Sequence, residues 1–245
     1  IYGLPKQTPE GFARTLEQVI ALKPDRIAAY GYAHLPERFK AQRQIDKYDL
    51  PDATTRLTLL QSCVSMLTAA GYVHIGVDHF ALPGDDLAQA LVNGTLQRNF
   101  QGYSTHAACD LIGFGMSAIS RIARGFSQNA KDLPGYYMAL DNGRLPVARG
   151  RLLSEDDLLR SDLIQQLMCG GVLDIPSFEA RHPVEFAHYF RQSLARLQPL
   201  VDDGLVTCSS QRIETTARGQ LLLRNIAQCF DAYIEGSDNR YSRAV

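Results

Sequence analysis

The sequence predicts an α/β protein: residues 1–150 alternate helix and strand as in an open barrel, and residues 151–245 form a mostly helical, winged-helix-like module. Helix and strand signals alternate through the first half. Residues 72–78 separate into an apolar and a polar face. From about Ser154 the pattern changes to helices joined by short turns, which places the boundary near Gly150.

Residues 9–22 carry Phe12, Leu16, Val19 and Ile20 at helical spacing, with Thr8 as N-cap and Pro9 at the first position. Residues 26–33, rich in Ile, Ala and Tyr, suit a strand. Residues 52–70 read as a long amphipathic helix with Leu57, Leu60, Val64 and Leu67 on one stripe and Gly71 at its C-terminus. A strand over 72–78 puts Val73, Ile75 and Val77 on one face, and Tyr72, His74, Gly76 and Asp78 on the other. A barrel interior filled by packing alone is apolar and branched. The polar face therefore points to a ligand cavity, with His74 and Asp78 directed into it or forming a structural pair.

Residues 85–93 form a short helix, and residues 98–105 a polar, aromatic loop or strand. Further on, residues 155–169 and 184–200 read as helices. Gly204-Leu205-Val206, then Gln211-Arg212-Ile213, then a helix from Thr216 suit a helix-plus-hairpin wing. The polar tail over 236–245 is expected to be loose.

Lys and Arg total 25 against 26 Asp and Glu, a net charge of -1, which argues against a nucleic-acid or anionic-membrane partner. No apolar run is long enough for a membrane span; the densest, residues 63–77, is broken by Ser65, Thr68, Gly71 and His74. Five widely spaced cysteines (63, 109, 169, 208 and 229) fit reduced thiols in the cytoplasm and form no C-x-x-C. Nothing here holds a metal. The opening Ile1-Tyr2-Gly3-Leu4-Pro5 reads as a strand end entering a turn, as in the C-terminal part of a longer protein. An isolated partial barrel would expose a strand edge there and is expected to aggregate and lack activity.

Several strings, in order, resemble one family. They are Ile1-Tyr2-Gly3-Leu4-Pro5-Lys6-Gln7-Thr8, Tyr32-Ala33-His34-Leu35-Pro36, Gly76-Val77-Asp78-His79-Phe80-Ala81, Asn99-Phe100-Gln101-Gly102-Tyr103 and Gly115-Met116-Ser117-Ala118-Ile119-Ser120. Asp203-Gly204-Leu205-Val206 and Arg224-Asn225-Ile226 are similar to its accessory domain. The family is the oxygen-independent coproporphyrinogen III oxidases, radical S-adenosylmethionine enzymes of haem synthesis. The resemblance implies the C-terminal part of a partial radical-SAM (β/α) barrel and covers nearly the whole chain. The family's C-x-x-x-C-x-x-C, which holds a 4Fe-4S cluster, is absent and is expected upstream of Ile1.

By that resemblance Ala33 touches the S-adenosylmethionine on the cluster, and Phe100, Gln101 and Ile119 meet a second S-adenosylmethionine or substrate beside it. Read without the family, Ala33, Phe100 and Ile119 are packing residues and Gln101 a turn amide. The substrate, coproporphyrinogen III, carries four propionates. Arg38, Arg43 and Arg98, with Lys40 and Arg121, are candidates to meet them; a solvated surface charge is the ordinary alternative for each. His34, His74 and His79 could donate protons or orient groups. Ser104 and Ser117 lack a nucleophile elbow, and Gly113-x-Gly115 lacks the third glycine of a dinucleotide fingerprint.

The implied reaction is oxidative decarboxylation to protoporphyrinogen IX. A 5′-deoxyadenosyl radical takes a hydrogen from the propionate β-carbon, and loss of carbon dioxide and one electron leaves a vinyl group, twice per substrate. An electron donor and an acceptor are implied, with the enzyme a monomer. A related haem chaperone is the alternative. Its H-N-x-x-Y-W pattern fails here, because Arg98 precedes Asn99 and the chain has no Trp. A DNA-binding winged helix would need a basic recognition helix, whereas these helices mix Asp156, Asp157, Asp162 and Glu185 with their arginines.

Overall fold

The computed structural model describes residues 1–106 and 109–234; the tail over 236–245 lies outside them. Its first layer is a β-α-β unit. Tyr2 bridges Gly31 in parallel, and between them runs α1 (Pro9–Leu22), capped by Thr8 Oγ1 accepting from the Gly11 amide at 3.1 Å. The Tyr2 ring lies so close to Gly31 that a Cβ there would stand 3.0 Å from its hydroxyl. The strand expected over 26–33 is accordingly short, β1 (Arg26–Ala28), with Gly31 resuming the pairing after a break.

Helix α2 (Ala53–Ala69) starts at Asp52, whose carboxylate accepts from the Thr55 amide at 2.7 Å. Its buried stripe is Leu59, Leu60, Cys63 and Leu67, packed with Phe12 and Leu16 of α1. Leu57, expected on the stripe, is exposed, since the buried face is centred on the Leu60–Cys63–Leu67 row.

The strand expected over 72–78 stops early, as β2 (Val73–Gly76). The chain reverses through Val77 at φ 49 and returns as β3 (His79–Ala81), which pairs antiparallel with both β2 and β1. A bulge at Ile75 shifts the register, and a β-branched residue at positive φ is strained. The two-face reading of 72–78 therefore fails at its C-terminal end: Asp78 sits beyond the turn.

Next come α3 (Asp86–Val92) and the hairpin β4 (Gln97–Asn99)–β5 (Gly102–Ser104). An antiparallel sheet follows, β6 (Ile119–Ile122), β7 (Gly125–Asn129) and β8 (Val147–Leu152), with α4 (Leu133–Asp141) between its last two strands.

Helix α5 (Glu155–Gly170) opens on a capping box between Ser154 and Asp157. It leads to β9 (Val172–Asp174), α6 (Ile175–Arg181), α7 (Phe186–Tyr189), α8 (Arg191–Asp202), β10 (Val206–Cys208), β11 (Arg212–Thr215) and α9 (Leu223–Gln228). The strands form one antiparallel sheet in the order β10-β11-β9. The helix expected over 184–200 is two, α7 and α8, meeting at Phe190. Phe178, Phe186, Phe190 and Phe230 fill the core of this half with Leu163, Leu167, Leu173 and Ile213. Helix α5 serves both halves. Leu159, Leu163 and Leu167 face the phenylalanine core, while Cys169 packs with Ile75, Leu87, Leu96 and Tyr103.

Candidate active site

The β4–β5 hairpin ends in the tip Phe100–Gln101. The Gln101 amide donates to Asn99 Oδ1 at 2.8 Å, an Asx turn, and Gly102 completes the reversal at φ 120. Phe100 is 57% exposed and meets Phe126 of β7 edge to face at 5.3 Å. Two concave spaces share that aromatic pair. One, of about 350 Å³, has an apolar floor of Phe100, Ile119 and Phe126 flanked by Arg149 and Arg151. The other, of about 400 Å³, is lined by Arg98, Asn99, His106, Arg121 and Gln165, and by Asp162, whose carboxylate is held by Arg181 and His182. Each flanking arginine leans on a neutral neighbour. Arg98 and Arg121 lie over the Tyr103 and Phe126 rings at 5.7 and 5.8 Å. Arg149 donates to Gln128 Oε1 at 2.8 Å, and Arg151 stacks on Tyr233 at 4.2 Å. None of the four forms an ion pair among the described residues. Arg98 Nε is also buried without a hydrogen-bond partner there.

Behind the tip lies Asp78, 6% exposed. Its Oδ1 is 2.8 Å from His79 Nδ1, and its Oδ2 accepts from Arg224 of α9 at 2.8 Å. Burial opposes ionisation of this carboxyl, but the His79 hydrogen bond and the Arg224 and Arg98 charges outweigh it and hold its pKa below the ordinary value. Asp78 thus pairs with His79. His74 instead stacks on Phe80 at 4.7 Å and bonds the Val77 carbonyl at 3.2 Å. The shared His74–Asp78 cavity does not form, because the turn at Val77 carries Asp78 away from the face of β2.

Ala33 lies on the loop after β1, where one side chain fixes both flanks. Gln42 donates to the Ala33 carbonyl at 3.0 Å and accepts from the Leu35 amide at 2.6 Å. Arg38, Lys40 and Arg43 extend into solvent from the same segment, and Arg43 donates to the Pro36 carbonyl at 2.9 Å. None of them lines either space beside Phe100. His34 Nδ1 is buried and unpartnered among the described residues.

The structure therefore gathers Phe100, Ile119, Arg98 and Arg121 around one aromatic wall, with Gln101 at its tip, and leaves Ala33 on a separate loop. Phe126, Arg149 and Arg151 were missed; they lie in a polar stretch where no alternation marks a strand. Gln42 and Gln165 were missed because a single amide carries no pattern. No group of His, Cys, Asp and Glu among the described residues could hold a metal ion, and no helix there is long and apolar enough to cross a membrane.

A family model described as HemN C-terminal domain matches residues 153–222. The oxygen-independent coproporphyrinogen III oxidase of Pseudomonas aeruginosa is 48% identical over the whole chain, which covers 54% of that protein. The protein of that name from Thermostichus vulcanus is 42% identical over the whole chain, which covers 76% of it. A solved structure of the Escherichia coli coproporphyrinogen III oxidase, described as a radical SAM enzyme, superposes with a TM-score of 0.90 at 48% identity, over 95% of this chain and 54% of that one. The chain thus spans about half the length of most curated relatives it matches. With full coverage at 42% identity to a relative of which it spans three quarters, the chain belongs to the oxygen-independent coproporphyrinogen III oxidase family.

Proposed function

We propose that this chain forms the substrate-facing part of an enzyme that decarboxylates coproporphyrinogen III to protoporphyrinogen IX. The observation that carries the reading is the Phe100–Phe126 wall, with an apolar floor on one side and, on both, arginines that form no close ion pair among the described residues. An apolar macrocycle rimmed by carboxylates suits that combination: the aromatic wall offers contact to the pyrrole rings of a porphyrinogen, and guanidinium forks take carboxylates. Arg98 and Arg121 would meet propionates on one side and Arg149 and Arg151 on the other. Arg38 and Arg43 would act only if their loop folds inward.

Ala33, Phe100, Gln101 and Ile119 are proposed to contact S-adenosylmethionine, which supplies the hydrogen-abstracting radical when bound. The Gln101 side chain can orient a polar edge, while Phe100 and Ile119 cover an apolar face and keep water out. The described residues do not fit a 4Fe-4S cluster, so no step is assigned to one within this chain. A boundary near Gly150, with substrate loops before it and an accessory module after it, belongs to the same proposal. So do a cytoplasmic location, a monomeric state, and an external electron donor and acceptor.

The test is anaerobic assay of the full encoded polypeptide containing this chain, reconstituted with iron and sulfide, for S-adenosylmethionine-dependent formation of vinyl product. Product that falls at least about tenfold in Arg98→Ala or Arg121→Ala supports the reading. Tight haem binding, seen as a Soret band, without decarboxylation would instead assign the chain to the haem-chaperone branch.

A further inference from the structure

The tip Phe100–Gln101 projects from a very short hairpin, with strands of three residues each. Such a hairpin has little intrinsic stability, so its shape must be imposed from outside. The structure shows where from. On β4, Gln165 of α5 donates to Gln97 Oε1 at 2.8 Å and to the Arg98 carbonyl at 2.9 Å. On β5, the Tyr103 hydroxyl donates to the Met168 carbonyl of α5 at 2.7 Å. Gly76 is needed for that crossing, because any Cβ there would overlap the Tyr103 hydroxyl. Behind Gly102, a Cβ would meet His79 Nε2 at 3.1 Å. The His79 ring also packs edge-on against Tyr103 at 5.2 Å. His79 is in turn fixed by Asp78, and Asp78 by Arg224 of α9.

Both strands and the turn residue Gly102 are therefore gripped, directly or through the His79–Asp78 pair, by α5 and α9. We infer that the C-terminal module is a positioning clamp: Gln165, the Met168 carbonyl and the Arg224–Asp78–His79 relay set the height and angle at which Phe100 and Gln101 meet the bound ligand. These are positioning residues; none is assigned contact with the reacting atoms. The inference rests on the proposed role of the tip as a ligand contact.

The relay has a chemical consequence. Asp78 is acceptor-only when ionised, so its bond to Nδ1 requires the proton on Nδ1 and fixes the ring with its Nε2 edge toward Gly102. Loss of Arg224 leaves the buried carboxylate with one partner instead of two and frees the ring to turn.

The experiment uses the full encoded polypeptide with Tyr103→Phe, Arg224→Met and Arg224→Lys. Arg124→Ala serves as control; it breaks the exposed Arg124–Glu155 pair of 2.6 Å between the β6–β7 turn and α5, which also joins the two halves. Amide exchange over residues 97–104 and affinity for the unreactive analogue S-adenosylhomocysteine are measured for each. Tyr103→Phe and Arg224→Met should each speed exchange at Gln101 and Gly102 by about tenfold and weaken the analogue by a similar factor, the scale of one hydrogen bond. Arg224→Lys should restore most of both, and Arg124→Ala should change neither. Unchanged exchange in both Tyr103→Phe and Arg224→Met overturns the clamp. Faster exchange with unchanged affinity upholds the clamp and removes the ligand from the tip, so failure of the inference and failure of the proposed function are told apart.

Discussion

His74 lies half-buried with its ring on Phe80 and Nε2 on the Val77 carbonyl. Burial lowers its pKa from 6.5, opposed by that hydrogen bond and by the Asp78 charge. The unfolded imidazole titrates near 6.5 and the folded one below it, so over that interval the unfolded chain binds more protons. Stability from this residue is present at pH 7 and is lost as pH falls through 6.5 toward the folded value. Urea midpoints at pH 7.5 and 5.5 should therefore drop further in the parent than in His74→Gln; equal drops would rule out this titration. The reversal behind it is hard to read in the sequence because it centres on a valine, although Gly76 and Asp78 flank it. A valine at φ 49 carries none of the Asn-Gly or Asp-Gly chemistry that announces a reversal, and the polar alternation of 72–78 continued through it on paper.

At the scale of elements, the helices were readable where a cap and a stripe agreed. Thr8-Pro9 before Phe12 and Leu16, and Asp52 before Leu59–Leu60, give start signal and period together. Two kinds of element escaped. The sheet of β6, β7 and β8 uses Ser120, Ser127, Gln128 and Asn129 at pairing positions, and all six residues of β8 are exposed, so no period of two survives. Helices α7 and α8 share one apolar row past Phe190, which hides the break. The candidate site was legible for the residues carried by the family strings, Phe100 and Ile119 above all, and not for Phe126, which is recognisable only once β7 is paired. Capping offers a direct check at this scale. Ser154 Oγ accepts from the Asp157 amide at 3.1 Å while Asp157 accepts from the Ser154 amide at 2.9 Å. Ser154→Ala should cost about 1 kcal/mol in denaturant unfolding, and an effect under about a quarter of that would mean that the α5 N-terminus is held by other contacts.

Across the whole molecule, α5 is the shared wall. It lends Leu163 and Leu167 to the phenylalanine core and Cys169 to the cluster around Ile75 and Tyr103. Burial pushes the Cys169 thiol up to about 12, which fits a packing role rather than a reactive one. Two cores joined through one helix should melt together. Phe178, fully buried, touches His182, Phe186 and Phe190. Phe178→Ala should cost about 3–5 kcal/mol and shift a single transition, with exchange in α2 and α8 accelerating in parallel. A second transition in which α2 keeps its parent protection would show that the halves unfold independently.

Strand β8 presents its outer row of amides and carbonyls as the open edge of its sheet, a template on which another strand could add. Two copies meeting there would set Arg149 and Arg151 against their own counterparts if parallel and in register, or against each other if antiparallel about Gly150, and like charges directly opposed repel. The arginines proposed to receive the substrate's carboxylates would thus also discourage self-association, and a carboxylate-rich ligand that neutralises them would relax that protection at the moment it occupies the site.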